Sequence, residues 1–187
     1  MNAFDTNAFD MNSVEVTIRP ARAEEVDMLA QLDASGWPAG SHPYPSAATP
    51  FGARFGLADL AVAVVERTLV GFVAVGPRSR LASNSHVASV RSLLVAPCVR
   101  RAGLGAALLS FAERRAANRG FEKLDANVLS SNGASLALFA KAGFVEEGRL
   151  HGEFRIASRL IDDVLLGKFL GRAGRSNALA QSPAWLA

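Results

Sequence analysis

The chain has 187 residues, with 20 Lys+Arg against 17 Asp+Glu and a formal net charge of +3. Half of the residues are hydrophobic and 20% are charged, which supplies the core of one domain and excludes global disorder. The small basic surplus is dispersed, its largest group being Arg100 and Arg101 with Arg114 and Arg115, and aromatics are only 7%. That is not the clustered basic patch with stacking platforms that nucleic acid requires.

A single cysteine, Cys98, excludes an internal disulfide framework and a multi-cysteine zinc site, and no neighbouring histidine activates it. His42, His86 and His151 are scattered at no ligand spacing, so no metal is expected. The longest apolar run, Leu60 to Val65, is far short of the roughly 18 residues of a membrane span. Met1 to Ser13 carries Asp5 and Asp10 but no Lys or Arg, unlike the basic start of a signal peptide. The expectation is a soluble, cytoplasmic, single-domain protein with no nucleic-acid or membrane partner.

In chain order, residues 1–13 hold a short echo, Asn2-Ala3-Phe4-Asp5 and Asn7-Ala8-Phe9-Asp10, and read as a flexible leader. Val14 to Arg19 alternates apolar and polar residues up to Pro20, a strand. Ala23 to Ala34 repeats Val26, Leu29, Ala30 and Leu32 at helical spacing, with Glu24 and Glu25 in the first turn. Gly36 to Pro50 contains four prolines and reads as a long functional loop, followed by a short helix at about 49–57. Leu60 to Glu66 and Leu69 to Gly76 are apolar strands split by a turn at Arg67-Thr68. His86 to Val95 is a strand ended by Ala96-Pro97, and Gly103 to Asn118 a helix stopped by Gly120. Phe121 to Leu129 is a strand, Ser131 to Ala142 a helix closed by Gly143, and Phe144 to Leu170 a final strand pair. Residues 171–187 read as a tail. The alternation indicates an α/β fold with helices on both faces of a mixed sheet.

The stretch Leu93-Leu94-Val95-Ala96-Pro97-Cys98-Val99-Arg100-Arg101-Ala102-Gly103-Leu104-Gly105-Ala106 runs an apolar strand through a short loop into a helix opened by two glycines. Unpaired N–H groups and the positive dipole end favour an anion there, and the two arginines add charge at the rim. On these residues alone, glycines placed for tight helix–strand packing fit equally well. No third glycine makes a dinucleotide fingerprint, and no Gly-Lys-Ser/Thr follows. A second stretch, Ser131-Asn132-Gly133-Ala134-Ser135 to Leu138-Phe139-Ala140-Lys141-Ala142-Gly143-Phe144, is a capped helix directly after a strand.

Together these stretches resemble the GNAT N-acetyltransferase superfamily over about residues 14–170. Arg100-x-x-Gly103-x-Gly105 matches its acetyl-CoA pyrophosphate motif, and Asn132…Leu138-Phe139…Gly143-Phe144 its second motif. The opening Thr17-Ile18-Arg19-Pro20-Ala21 agrees. The resemblance implies a central mixed, mostly antiparallel sheet of about seven strands. It also implies acetyl-CoA as donor, a small amine as acceptor, and a homodimer through the last strands as one assembly. The strand at Leu93, Leu94 and Val95 would splay from its neighbour and pair with the pantetheine arm. Arg100, Arg101, Ala102, Gly103, Leu104, Gly105 and Ala106 would hold the pyrophosphate. Asn132 would bond the pantetheine arm or cap its own helix, Phe139 would pack near the thioester, and Lys141 would reach the outer phosphates.

Two departures bear on the chemistry. Many members place a Tyr where Phe139 stands, to protonate the leaving thiolate, and some place a Glu base where Asn127 stands. The histone-type base position falls near Ser89. The usual acid and bases are therefore missing, a loss of about 10²–10⁴-fold for each, whereas positioning alone contributes about 7–11 kcal/mol. Asp162 and Glu153 are the expected catalytic candidates, with His151 and Asp163 on the late strands and Asp125 on the strand before Asn132 as other titratable groups. From Gly143 to Asp162 the chain is similar to the branch acetylating small amines, whose members act on free amino acids, polyamines or ribosomal-protein N-termini. Trp37, Tyr44, Phe51 and Phe55 tilt the acceptor towards an amino acid or a small apolar amine. The rival reading is an acetyl-CoA-binding sensor with little turnover.

Overall fold

The structure, a computed structural model, describes residues 15–37 and 51–171. The expected leader at 1–13, most of the Pro-rich loop with His42 and Tyr44, and the tail beyond Gly171 lie outside the described residues. Elements follow in the order β1 (Val16–Pro20), α1 (Val26–Ser35), α2 (Phe51–Arg54), β2 (Leu60–Val65), β3 (Thr68–Pro77) and β4 (Val87–Val95). Then come α3 (Leu104–Asn118), β5 (Lys123–Leu129), α4 (Gly133–Lys141), β6 (Val145–Ile156) and β7 (Arg159–Phe169).

The seven strands form one sheet in the order β1-β2-β3-β4-β5-β7-β6. Only β4 and β5 run parallel, joined by α3 as the crossover; every other pair is antiparallel. The expected mixed, mostly antiparallel sheet is what is found. Neighbouring β3 residues show which face each helix covers. Gly71 turns its hydrogen side to Leu108 of α3, with no room for a side chain. Phe72 points the other way and meets the Phe51 ring of α2 edge-on, with centroids 5.3 Å apart. β2 and β3 are buried along almost their whole length because helices cover both faces, which is why they read as apolar runs without alternation.

Two boundaries move from expectation. The β2–β3 turn is Glu66-Arg67, with φ of 45° and 71°, and places Val65 opposite Thr68. Two successive positive φ values match the twist of a two-residue hairpin, and here they fall on residues other than glycine. The helix at 49–57 is shorter than expected: α2 covers Phe51–Arg54, and a separate 3-10 turn follows at Leu57–Asp59.

The helical cover is fastened by charge as well as by apolar contact. Asp33, at the end of α1 and 2% exposed, accepts hydrogen bonds from Arg54 and from Trp37 Nε1 at 3.1 Å. The Arg54 guanidinium also lies 5.0 Å from the centroid of Phe55. Removing one partner of such a pair leaves the other charge buried and uncompensated. Asp33→Ala should therefore destabilise the fold by about 3 kcal/mol. Chemical denaturation with an unchanged m-value would register this, and a loss below about 0.5 kcal/mol would show the pair to be solvated.

Candidate active site

The site begins with one extra residue. Ala74 of β3 faces Ser92 and Val75 faces Val90, so Arg91 is a bulge in β4. From there β4 leaves β5: the two pair only over Val87–Val90 and Lys123–Ala126, and diverge beyond. Ala96 N–H donates to Val70 O at 2.7 Å, on the β3 side. By strand alternation, Leu93 and Val95 turn their N–H and C=O groups to the β5 side, where no strand meets them. The bulge is held from outside. Arg91 is ion-paired with Asp59, which also accepts from Arg119 Nη1 at 3.1 Å.

Past Val95 the chain makes a 3-10 turn at Pro97–Val99 and enters α3 through two residues with positive φ, Arg101 (67°) and Gly103 (82°). Gly103 is the N-cap of α3 and offers no side chain to the helix start. The first helical bond is from Ala107 N–H to Gly103 O at 3.0 Å, so the preceding amides have no partner within the helix. A Cβ at Gly103 would meet nothing within 4 Å, and no acid stands in the first turn. These features make an open, positively polarised cradle of backbone donors, which suits a phosphate group. Gly105 has a different surrounding: a Cβ there would touch Leu138 of α4 at 3.4 Å, so this glycine lets α4 close on α3.

The two arginines expected at the rim separate. Arg101 is exposed beside the cradle, with Ala102. Arg100 folds back, its Nε donating to Val95 O at 3.1 Å and its Nη2 to Gly36 O. It thus ties the end of α1 to the end of β4. Asn132 caps α4, its Oδ1 accepting from Ser135 N–H at 3.1 Å. Phe139 is buried edge-on against Phe144, with centroids 4.9 Å apart. Lys141 stands exposed in the last turn of α4.

The acids fall on different faces of the sheet. Asp162 sits where β6 is irregular between Leu150 and Phe154. Its Oδ1 accepts from Gly152 N–H at 2.9 Å, and its Oδ2 lies 3.4 Å from Arg149 Nη1 and 3.3 Å from His151 Nδ1. The Gly152 N–H, then the Arg149 and His151 side chains, hold this carboxyl below its ordinary value of 3.8 despite partial desolvation. A carboxylate held ionised in this way is a weak base, and its hydrogen bonds fit it to clasp the β6 irregularity. Glu153 is exposed on the same stretch of edge strand.

On the other face, Asp125 is buried and accepts from Arg78 and Ser89. Asn127 Nδ2 donates to Asp163 Oδ2 at 2.6 Å. Ser92 Oγ, immediately after the bulge, is buried without a partner. The Asn127–Asp163 pair and the Ser92 orphan were not apparent from the sequence, and the bulge that the resemblance implied had no residue assigned to it. Strand position gives the face of a residue only once the register is known. Among the described residues no group of three or more His, Cys, Asp or Glu side chains forms a metal cluster, and no helix is long and apolar enough to cross a membrane.

A splayed parallel pair feeding a glycine-capped helix is the arrangement the motifs anticipated, and comparison gives it a family. A model of the acetyltransferase (GNAT) family matches residues 26–144, so the chain belongs to that family and is a GNAT-type acyltransferase. Among solved structures it is similar to a ribosomal-protein-alanine N-acetyltransferase from Brucella melitensis, at 24% identity and TM-score 0.72, over 82% of this chain and 99% of that one. It is also similar to a phosphinothricin acetyltransferase from Sinorhizobium meliloti in complex with acetyl-CoA, at 21% identity and TM-score 0.75, over 83% and 89%. An N-acetyltransferase from Staphylococcus aureus matches at 19% identity and TM-score 0.75, over 84% and 99%. At these identities the likeness is one of fold. No curated protein is a significant match.

The Asp162 cluster sets a pH dependence. Because the folded carboxyl is depressed, its stabilisation is present above 3.8 and is lost as pH falls through the lower folded value. The stability difference between the wild type and Asp162→Asn should therefore be larger at about pH 6 than at about pH 2. Melting curves at both pH values check it; a constant difference would mean that the hydrogen bonds do not depend on the charge.

Proposed function

We propose that the protein transfers an acetyl group from acetyl-CoA to the primary amine of a small acceptor, a free amino acid or a comparable small amine, by direct attack in a ternary complex. The observation that carries this reading is the continuity of the β4 splay with the open cradle at Gly103. A strand edge whose backbone groups pair with no neighbouring strand, Val95 O accepting from the Arg100 side chain, runs directly into a helix start with free amides. That sequence of donors and acceptors fits a pantetheine arm followed by a pyrophosphate. The structural relative from Sinorhizobium meliloti, in complex with acetyl-CoA, supports the same donor.

In this reading Leu93 and Val95 present backbone partners to the pantetheine amides, and the amides from Leu104 to Ala106 receive the pyrophosphate with Arg101 at the rim. Arg100 acts at one remove by fixing Val95. Asn132 holds the start of α4, and Phe139 supplies an apolar wall where other members have a hydroxyl. Acetyl-CoA brings an activated thioester, and the chain places an amine against it. A thiolate is a good leaving group, so the lack of a hydroxyl at position 139 is tolerable. Asp162 is better suited to shaping the edge strands than to accepting a proton. Trp37, Phe51 and Phe55 lie on the α1–α2 side and give that side an apolar character.

Thiol release from acetyl-CoA with pooled amino acids, polyamines, N-terminal peptides and aminoglycosides tests the reading. Release above the blank with the amino-acid or small-amine pool supports it. Release with peptides or polyamines alone would replace the acceptor class, and binding of acetyl-CoA without release from any pool would replace catalysis by sensing. Gly103→Glu puts a side chain and a negative charge into the cradle at positive φ, and should weaken acetyl-CoA binding at least tenfold by calorimetry. Unchanged affinity would place the pyrophosphate elsewhere.

A further inference from the structure

Three acids in the described chain are buried: Asp33, Asp125 and Asp163. An ionised carboxylate is tolerated in an interior when a cation or several donors compensate it. Asp33 has Arg54, and Asp125 has Arg78 together with the Ser89 hydroxyl. Asp163 is 5% exposed, yet among the described residues its carboxylate has no cation and a single donor, the neutral Asn127 amide. The other charges nearby are already engaged. Arg149 and His151, which flank Leu150 opposite Asp163, surround Asp162. The fold therefore buries a negative charge and leaves it short of a partner.

The register shows where that charge lies. Phe72, on the face covered by α2, is opposite Leu94; Ala74 is opposite Ser92, and Gly76 opposite Ser89. Ser89 is opposite Asp125, so alternation puts Asn127 and Leu129 on this same face, and Asp163 is opposite Leu129. Asp163 thus lies on the face away from α3 and its anion cradle, at the end of β5 that has parted from β4. The unpartnered, buried hydroxyl of Ser92 is on that face too, across the splay. Asp162, one residue earlier, points to the opposite face.

The geometry points to Asp163 as the group that receives the ammonium of the acceptor and takes its proton. This deepens the acetyl-transfer reading and rests on it. A primary ammonium supplies the charge and the donors that Asp163 lacks, and it would arrive on the side of the splay opposite the cradle. Asp163 removes one proton from the ammonium. The freed nitrogen lone pair forms the C–N bond to the thioester carbon as the C–S bond breaks, and the electron pair of that bond leaves on sulfur. A second nitrogen proton goes to the departing thiolate, and Asp163 returns its proton to solvent. Asn127 is a positioning residue, directing Oδ2 and leaving Oδ1 for the amine. The place of a base on β5 is thereby filled from β7, by a carboxylate that Asn127 holds.

The test compares Asp163→Asn, which keeps shape, with Asp163→Glu, which keeps charge, using the amine that thiol release identifies. Asp163→Asn should lower kcat/KM by about 10²–10⁴-fold while the acetyl-CoA Kd stays within about twofold, and Asp163→Glu should recover at least about tenfold of the loss. Asn127→Ala should lower kcat/KM by about tenfold while the acetyl-CoA Kd stays within about twofold, measured well below its own Tm, and it decides the matter if the position-163 variants do not fold. Asp163→Asn within about threefold of wild type, Asp163→Glu no faster than Asp163→Asn, or acetyl-CoA affinity falling in step with rate would each overturn the assignment. Full activity in Asn127→Ala would do the same. A wild-type enzyme silent with every amine overturns the transfer reading itself, and that is seen before any variant is made.

Discussion

Everything at the site depends on the extra residue at Arg91. Without it β4 would continue beside β5, their ladder would close, and the chain would present a filled sheet in place of a slot. Parting the strands forfeits the hydrogen bonds that Leu93 and Val95 would make, roughly 0.5–1.5 kcal/mol each, so the bulge needs anchoring. The anchor is ionic: Arg91 reaches Asp59, just before β2, and Arg119, at the end of α3, joins the same carboxylate. Gly76 makes room for the pair, since a Cβ there would collide with both the guanidinium and the carboxylate. One acid after α2 thus links the strand that bends to the helix that follows it. The positive end of α3 and the open edge of β4 are set by a single piece of geometry.

The division of labour among the acids follows from strand alternation. Asp162 and Asp163 are neighbours in an apolar stretch, and in sequence they look interchangeable. In the sheet they are on opposite faces. One meets a backbone N–H, an arginine and a histidine at the edge of β6; the other is buried next to an amide at the splay. Depressed basicity and its ring of donors suit the first to structure. Burial without a cation suits the second to a charge brought from outside. Much the same contrast separates Asp125 and Asp163, because the arginine that completes Asp125 comes from the end of β3, where the sheet is still closed.

The order of strands and helices was legible because periodicity and glycine placement are local signals. Helix α3 has apolar residues at helical spacing and a glycine at each end, and the strands around it are apolar runs between turn residues. The irregularities were legible in outline but not in their residues. The hairpin expected at Arg67-Thr68 turns one residue earlier, at Glu66-Arg67, and both it and Ala157-Ser158 adopt positive φ without glycine or asparagine, so composition did not fix the turn residues. The bulge at Arg91 depends on which residue of β3 lies opposite, a fact no single strand contains. Asn127 reads in sequence as an absence, since an amide cannot accept the proton a glutamate would. In the fold it is a donor with a specific partner 36 positions away. The glycine-opened helix start was therefore readable in the sequence, because it is local, whereas the contacts among the acids were not, because they form only across the register.

Arg100 shows the same limit and adds a connection. Next to two glycines at a helix start, an arginine reads as a phosphate ligand, yet here it is committed to two carbonyls, Val95 O on the strand edge and Gly36 O after α1. A guanidinium offers five donors in a fixed plane, so holding both carbonyls fixes one with respect to the other, which a lysine would do less well. Gly36 is where α1 gives way to the segment leading to α2, and a side chain there would strike Leu94 of β4. The end of α1 and the end of β4 are thus in contact and cross-linked by one side chain. The end of α1 and the open edge of β4 are consequently held in register by the residue that the motif alone would have given to phosphate.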